Sequence, residues 1–88
     1  MTDETVRCWL VERDYNDKGL VTLVYATPDG QRCLQSNRSS TMLTKQGVTA
    51  ATDADPEKLR PVDDDATRER YESEVARMRE RHDPDEEV

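Results

Sequence analysis

The sequence predicts an α+β fold: a three-stranded antiparallel β-meander with a C-terminal α-helix packed on one face. Three observations support this. Two β-branched runs alternate apolar and polar residues near the N-terminus. The phrase "TPDG" marks a hairpin between the second run and a third. A long charged segment near the C-terminus repeats apolar residues at helical spacing.

The first strand is "TVRCWLVERDY", with Val6, Cys8 and Leu10 on one face and Arg7, Trp9, Val11 and Arg13 on the other. "NDKG" is a turn, where Gly19 can take positive φ. "LVTLVYAT" is the second strand. In the following loop Pro28 presets φ, Asp29 suits the next position and Gly30 takes the left-handed one. "QRCLQS" is the third strand.

This order bears on the two cysteines. A Pro28-Asp29-Gly30 loop sets Tyr25 opposite Cys33. Cys8 on the other edge strand then lies about 9–10 Å from Cys33. A disulfide needs Cα atoms within roughly 7 Å, so none is expected. Two isolated cysteines and one histidine also fall short of a zinc site, which takes about four ligands in close pairs.

Residues 36–52 are small and polar and leave two readings open. Ser40 or Thr41 can cap a short helix through Met42, Leu43 and Gln46, ended by Gly47. Alternatively "VTAAT" forms a fourth strand. Asp55 then caps one helical turn that begins at Pro56 and runs to Leu59, with Pro61 stopping it. The main helix spans roughly Asp65 to His82, with Tyr71, Val75, Met78 and His82 as its apolar stripe. Asp63, Asp64 and Asp65 at its start, and Arg77, Arg79, Arg81 and His82 at its end, complement the helix dipole. "DPDEEV" reads as a frayed, solvated tail. The expected organisation is one small domain over residues 1–88, with an ordered core of about 5–82 and an acidic tail at 83–88.

Composition limits the chemistry. The chain has no Phe or Ile, one Trp, three Tyr, six Leu and eight Val, too few for a core and a deep ligand cavity together. Net charge is −7; Asp (11) outnumbers Glu (9) and Arg (10) outnumbers Lys (3). This pattern resembles cytosolic proteins of extreme halophiles. High salt screens self-repulsion to roughly 3 Å at 1 M, so dense negative charge becomes tolerable. "GLVTLVYA", the longest apolar run, is too short to span a membrane. "MTDETVR" lacks the basic and apolar regions of a secretory signal. A cytoplasmic protein without membrane contact is expected, with reduced cysteines. The sequon Asn37-Arg38-Ser39 then carries no weight.

"YATPDGQR" and "ADPEKLRPVDDDATRERYESEVARMRERHDP" resemble a family of short haloarchaeal proteins of unknown function. The resemblance runs from Trp9 to Pro84. It implies a halophilic, archaeal, stand-alone protein, and it transfers no activity, cofactor or site residue.

Candidate motifs have plain structural explanations. Asp53, Asp55 and Glu57 alternate like a calcium loop, but Lys58 stands where Gly is needed, and capping accounts for them. His82 has no assignable partner for acid–base work. Trp9 could stack on a base, but packing under the helix explains it better. Phosphate loops, nucleophile elbows and metal-ligand helix motifs are missing from the sequence. No catalytic residue, metal or cofactor is therefore assigned.

The most informative stretch is residues 30–52, which hold no acid and carry Arg32, Arg38 and Lys45. Folding inward explains such a window, because burial disfavours unpaired carboxylates. A surface patch is the other explanation, with Arg32 and Arg38 on one side of a strand. Ser36, Asn37, Ser39 and Ser40 would then add hydrogen bonds to a ligand phosphate. The expected function is a non-enzymatic protein-interaction module, with an unknown protein or a second copy as partner, using an exposed strand edge. Nucleic-acid or phosphate-ligand binding through the window is the alternative. Molar salt counts against that alternative, because counterion release then contributes little. An enzyme subunit completed by a partner is a third option.

Overall fold

The computed structural model describes residues 4–15, 19–39 and 47–88. Among them lies a five-stranded antiparallel sheet: β1 (Val6–Tyr15), β2 (Leu20–Ala26), β3 (Arg32–Ser39), β4 (Ala51–Ala54) and β5 (Arg60–Pro61), in the order β4-β1-β2-β3-β5. One α-helix, α1 (Asp65–Arg81), packs on one face. The expected meander is thus the centre of a wider sheet. Its two extra strands are only four and two residues long, too short to carry a periodic signal of their own.

The β2–β3 loop is one residue longer than Pro28-Asp29-Gly30. The Thr27 amide donates to the Arg32 carbonyl at 3.0 Å and closes the hairpin. Asp29 accepts from the Gln31 amide at 3.0 Å and from the Thr27 hydroxyl, which holds Gln31 inside the loop. These bonds pull the Asp29 carboxyl below its ordinary pKa, with the Thr27 bond the largest cause. Tyr25 consequently pairs with Leu34, and Cys33 with Ala26, correcting the expected Tyr25–Cys33 register. A slip of one residue turns every side chain to the other face.

β1 carries a second correction. Its pairing with β2 passes from Leu10–Tyr25 to Glu12–Val24, leaving Val11 as a bulge. Beyond the bulge the faces exchange. Glu12 joins Trp9 on the helix side, and Arg13 lies opposite Leu23 on the other.

The helix face buries Trp9, Val24, Ala26, Ala51, Val62, Tyr71 and Val75. Trp9 lies under the helix, as its scarcity among large residues suggests. The other face buries Cys8, Leu10, Val21, Leu23 and Tyr25 with Val48 and Ala54, and Leu34 and Leu59 pack at its margin. A 3₁₀ turn at Pro56–Lys58, capped by Asp55 as its sequence predicts, leads from β4 to β5. Val48, Ala50 and Ala51 are buried, so this part of the acid-free window folds inward. Of the two readings for residues 36–52, the strand is present in shifted form: β4 begins at Ala51. The possible helix through Met42 lies outside the described residues.

The helix begins where Asp64 accepts from the Thr67 amide at 2.9 Å and the Thr67 hydroxyl at 2.8 Å. Those bonds, the hydroxyl's foremost, lower the Asp64 pKa. Of the expected stripe, Tyr71 and Val75 are buried, while Met78 and His82 are half-buried. Gly30 sits hard against the helix backbone and holds φ at +71°.

Residues 83–88 are not a frayed tail. The amides of Ala50 and Ala51 donate to the carbonyls of Glu86 and Pro84 at 2.8 and 3.0 Å. The Val88 amide returns a bond to Val48 at 2.8 Å, and His82 meets Glu86. The physical reason is the buried backbone of 48–51, whose amides need acceptors that this segment supplies.

Candidate interaction edge

β3 places its residues on two faces by alternation. Leu34, Ser36 and Arg38 pair with Tyr25, Leu23 and Val21, the face opposite the helix; Arg32 shares their parity. Cys33, Gln35 and Asn37 pair with Ala26, Val24 and Thr22 on the helix side. Arg32 and Arg38 therefore share a face, and about 20 Å of extended strand separates them. Ser36 accepts from the Arg38 Nε at 3.4 Å. Asn37 points the other way and accepts from the Thr22 hydroxyl at 2.9 Å. The window's polar residues are thus not gathered at one point. Lys45 and Ser40 lie outside the described residues.

The strand's outer edge is a distinct feature. Hydrogen bonding alternates along an antiparallel strand. Arg32 spends its backbone carbonyl on β2, and Gln31 spends its own on Val62 across from β5. Gln35 and Asn37 therefore direct their N–H and C=O groups away from β2. β5 pairs only with Arg32 and Cys33, and no further strand pairs with that edge among the described residues. Gln35, Asn37 and Arg38 are all exposed.

A groove of about 580 Å³ runs beside this edge, between Leu34, Gln35 and Asn37 on one side and residues 57–60 on the other. The second wall brings in Lys58, which the sequence places in a helical turn, and Arg60, which lies just past that turn. Two residues of pairing, Arg32–Pro61 and Cys33–Arg60, carry them there. Among the described residues Arg32, Arg38, Lys58 and Arg60 form no ion pair. Among the described residues Glu57 is the one carboxylate in the groove wall. Among these residues the groove wall thus sets Lys58 and Arg60 against Glu57, and the exposed Arg38 adds a cation on the adjoining face, in a chain of net charge −7.

A second cluster ties helix to sheet. The bulge at Val11 turns Glu12 toward α1, where Arg70 donates to it at 2.7 Å and the Tyr71 hydroxyl at 3.2 Å. Arg70 also lies over the Tyr71 ring at 5.2 Å from its centre. Burial, then Glu12, pushes the Tyr71 phenol up. Burial likewise raises the nearby Cys33 thiol, and pushes Cys8 up to about 11. Both thiols are free and protonated at neutral pH, and the Glu12 carboxylate is already engaged by two donors. Chemically this arrangement is a strut, since a thiol works as a nucleophile only in its thiolate form.

Among the described residues no group of three or more His, Cys, Asp or Glu side chains could hold a metal ion. Asp55 caps its turn, and Asp53 pairs with Arg7 at 3.5 Å. No described helix is long and apolar enough to cross a membrane. Comparison with curated proteins and with solved structures found no match. A family model does match, over residues 2–88, and the chain belongs to that family of unknown function, DUF7967.

Proposed function

We propose that the protein is a small, non-enzymatic protein-interaction module of a halophile's cytosol, and that the outer edge of β3 is its contact surface. The observation that carries this reading is the exposure of Gln35, Asn37 and Arg38, with Gln35 and Asn37 directing backbone donors and acceptors outward. An unpaired edge is a template for a strand from another chain. On the opposite side of the sheet β4 pairs with Val6–Trp9, and the Ala50 and Ala51 amides at its start are engaged by the carbonyls of Glu86 and Pro84. Halophilic, archaeal origin is supported by the Asp and Arg bias and by the resemblance of the turn and helix phrases.

Gln35→Pro tests the reading. Proline removes an outward N–H and is tolerated on edge strands, because the ladder to β2 does not use that group. In affinity purification from the native host at its own salt, the wild-type chain should retain a protein that Gln35→Pro loses. Both chains should melt alike. Equal recovery by both would remove the β3 edge as the contact surface.

Phosphate or nucleic-acid binding is the second reading, favoured by the shared face of Arg32 and Arg38 and by the nearby Ser36. A span of about 20 Å excludes a single phosphate and requires an extended backbone. No measurable binding of generic DNA or RNA at molar salt is expected. A tight complex under those conditions, weakened by Arg38→Ala, would promote this reading.

A further inference from the structure

We propose that the β3 edge takes an extended acidic segment of a partner protein as a sixth strand, an assignment that rests on the interaction-module reading above. Three features converge on that occupant. Gln35 and Asn37 offer both donors and acceptors, at the two-residue spacing that another strand's backbone matches. Arg38 on one face, with Lys58 and Arg60 in the groove wall, flanks the line the new strand would follow. None of these cations has a carboxylate partner among the described residues.

The same features decide against other occupants. A second copy would bring one surplus of positive charge against another, and like charges across a strand pair are destabilising. A phosphodiester backbone has no N–H groups, so it would leave the outward carbonyls of Gln35 and Asn37 without donors. An acidic strand satisfies both requirements, with its backbone pairing along the edge and its alternate carboxylates reaching the cations. Screening at high salt weakens the charge contribution and leaves the short-range backbone bonds in place. Charge then selects the partner and the backbone holds it.

The experiment is amide hydrogen exchange at Gln35 and Asn37 with three probes: a soluble peptide of alternating Glu and Thr, its Lys and Thr counterpart, and oligo-dT. At a peptide concentration about ten times its Kd, exchange should slow about tenfold, following the factor 1 + [L]/Kd. The Glu peptide should produce this protection and the Lys peptide should not. The double variant Arg38→Glu, Arg60→Glu should reverse the preference, with its melting temperature confirming that it folds. Equal protection by both peptides would overturn the acidic assignment and leave the strand-edge reading standing. Protection by neither would overturn both. Protection by oligo-dT alone would replace the peptide with a polyanion. Protection that grows with protein concentration, without any probe, would replace it with a second copy.

Discussion

Gly30→Ala and Gly47→Ala form a matched pair that isolates the seat of the helix on the β2–β3 loop. Both glycines hold nearly the same backbone angle, φ of +71° and +73°. An L-residue there costs about 1–2 kcal/mol in either place. Their surroundings differ. A Cβ on Gly30 would sit 2.3 Å from the Arg68 carbonyl oxygen and 2.9 Å from the Glu72 amide nitrogen. Arg68 and Glu72 are four residues apart, the spacing of one helical hydrogen bond, so neither atom can swing aside without disturbing α1. A Cβ on Gly47 would instead meet the Glu87 carboxylate at 2.5 Å, the far end of a flexible side chain. Overpacking against rigid structure adds about 1–3 kcal/mol. Gly30→Ala should therefore lose about 2–5 kcal/mol and Gly47→Ala about 1–2 kcal/mol. At roughly 4–8 °C per kcal/mol for a domain this size, thermal melts followed by circular dichroism separate the two. Equal losses would show that the helix yields to the methyl group, and the rigid-seat argument would be wrong.

Val75→Ala, which removes two buried carbons under α1, should cost about 2–3 kcal/mol, whereas exposed Arg79→Ala should stay within about 0.5 kcal/mol; urea titration measures both. Asp29 and Asp64 bind protons more weakly in the folded state than their ordinary value of 3.8 implies. Their stabilisation is complete above that value and is lost as pH falls through the lowered folded pKa values. The melting temperature of the double variant Asp29→Asn, Asp64→Asn should accordingly fall less steeply than wild type below about pH 4; parallel acid limbs would refute the assignment. If the halophilic proposal holds, the thermal midpoint should climb from low to molar KCl, and a flat or falling midpoint would remove it.

The parts legible in the sequence are those with a local cause. Asp55 before Pro56 places its cap correctly, and the run Asp63, Asp64 and Asp65 marks the start of the helix, which Asp64 caps. Tyr71 and Val75 recur at helical spacing and are buried. What the sequence hides depends on contacts between distant segments. A bulge at Val11 leaves no compositional trace, yet it exchanges the faces of Glu12 and Arg13. Gln31 joins the hairpin loop because the Asp29 side chain accepts from its amide, and that single residue resets the register of β3. The acid-free window invited one explanation for its whole length. In the fold its later part, around Val48 and Ala50, is buried, while Gln35, Asn37 and Arg38 face solvent. Lys58 and Arg60 enter the candidate edge only through a two-residue strand, which no sequence period can announce.

The pairing of residues 84–88 with 48–51 has a consequence for how the molecule opens. A terminal helix ordinarily frays from its free end, one turn at a time. Here α1 is followed by a segment whose carbonyls accept from the Ala50 and Ala51 amides, and its first half is wedged on Gly30. Separating the helix from the sheet means releasing both anchors, and releasing the C-terminal one also uncovers the approach to β4 beside Trp9. The last turn of α1 and the amides of Ala50 and Ala51 thus belong to one cooperative unit. Slow exchange there should track global unfolding, in place of the gradient of protection that a free helix end would give.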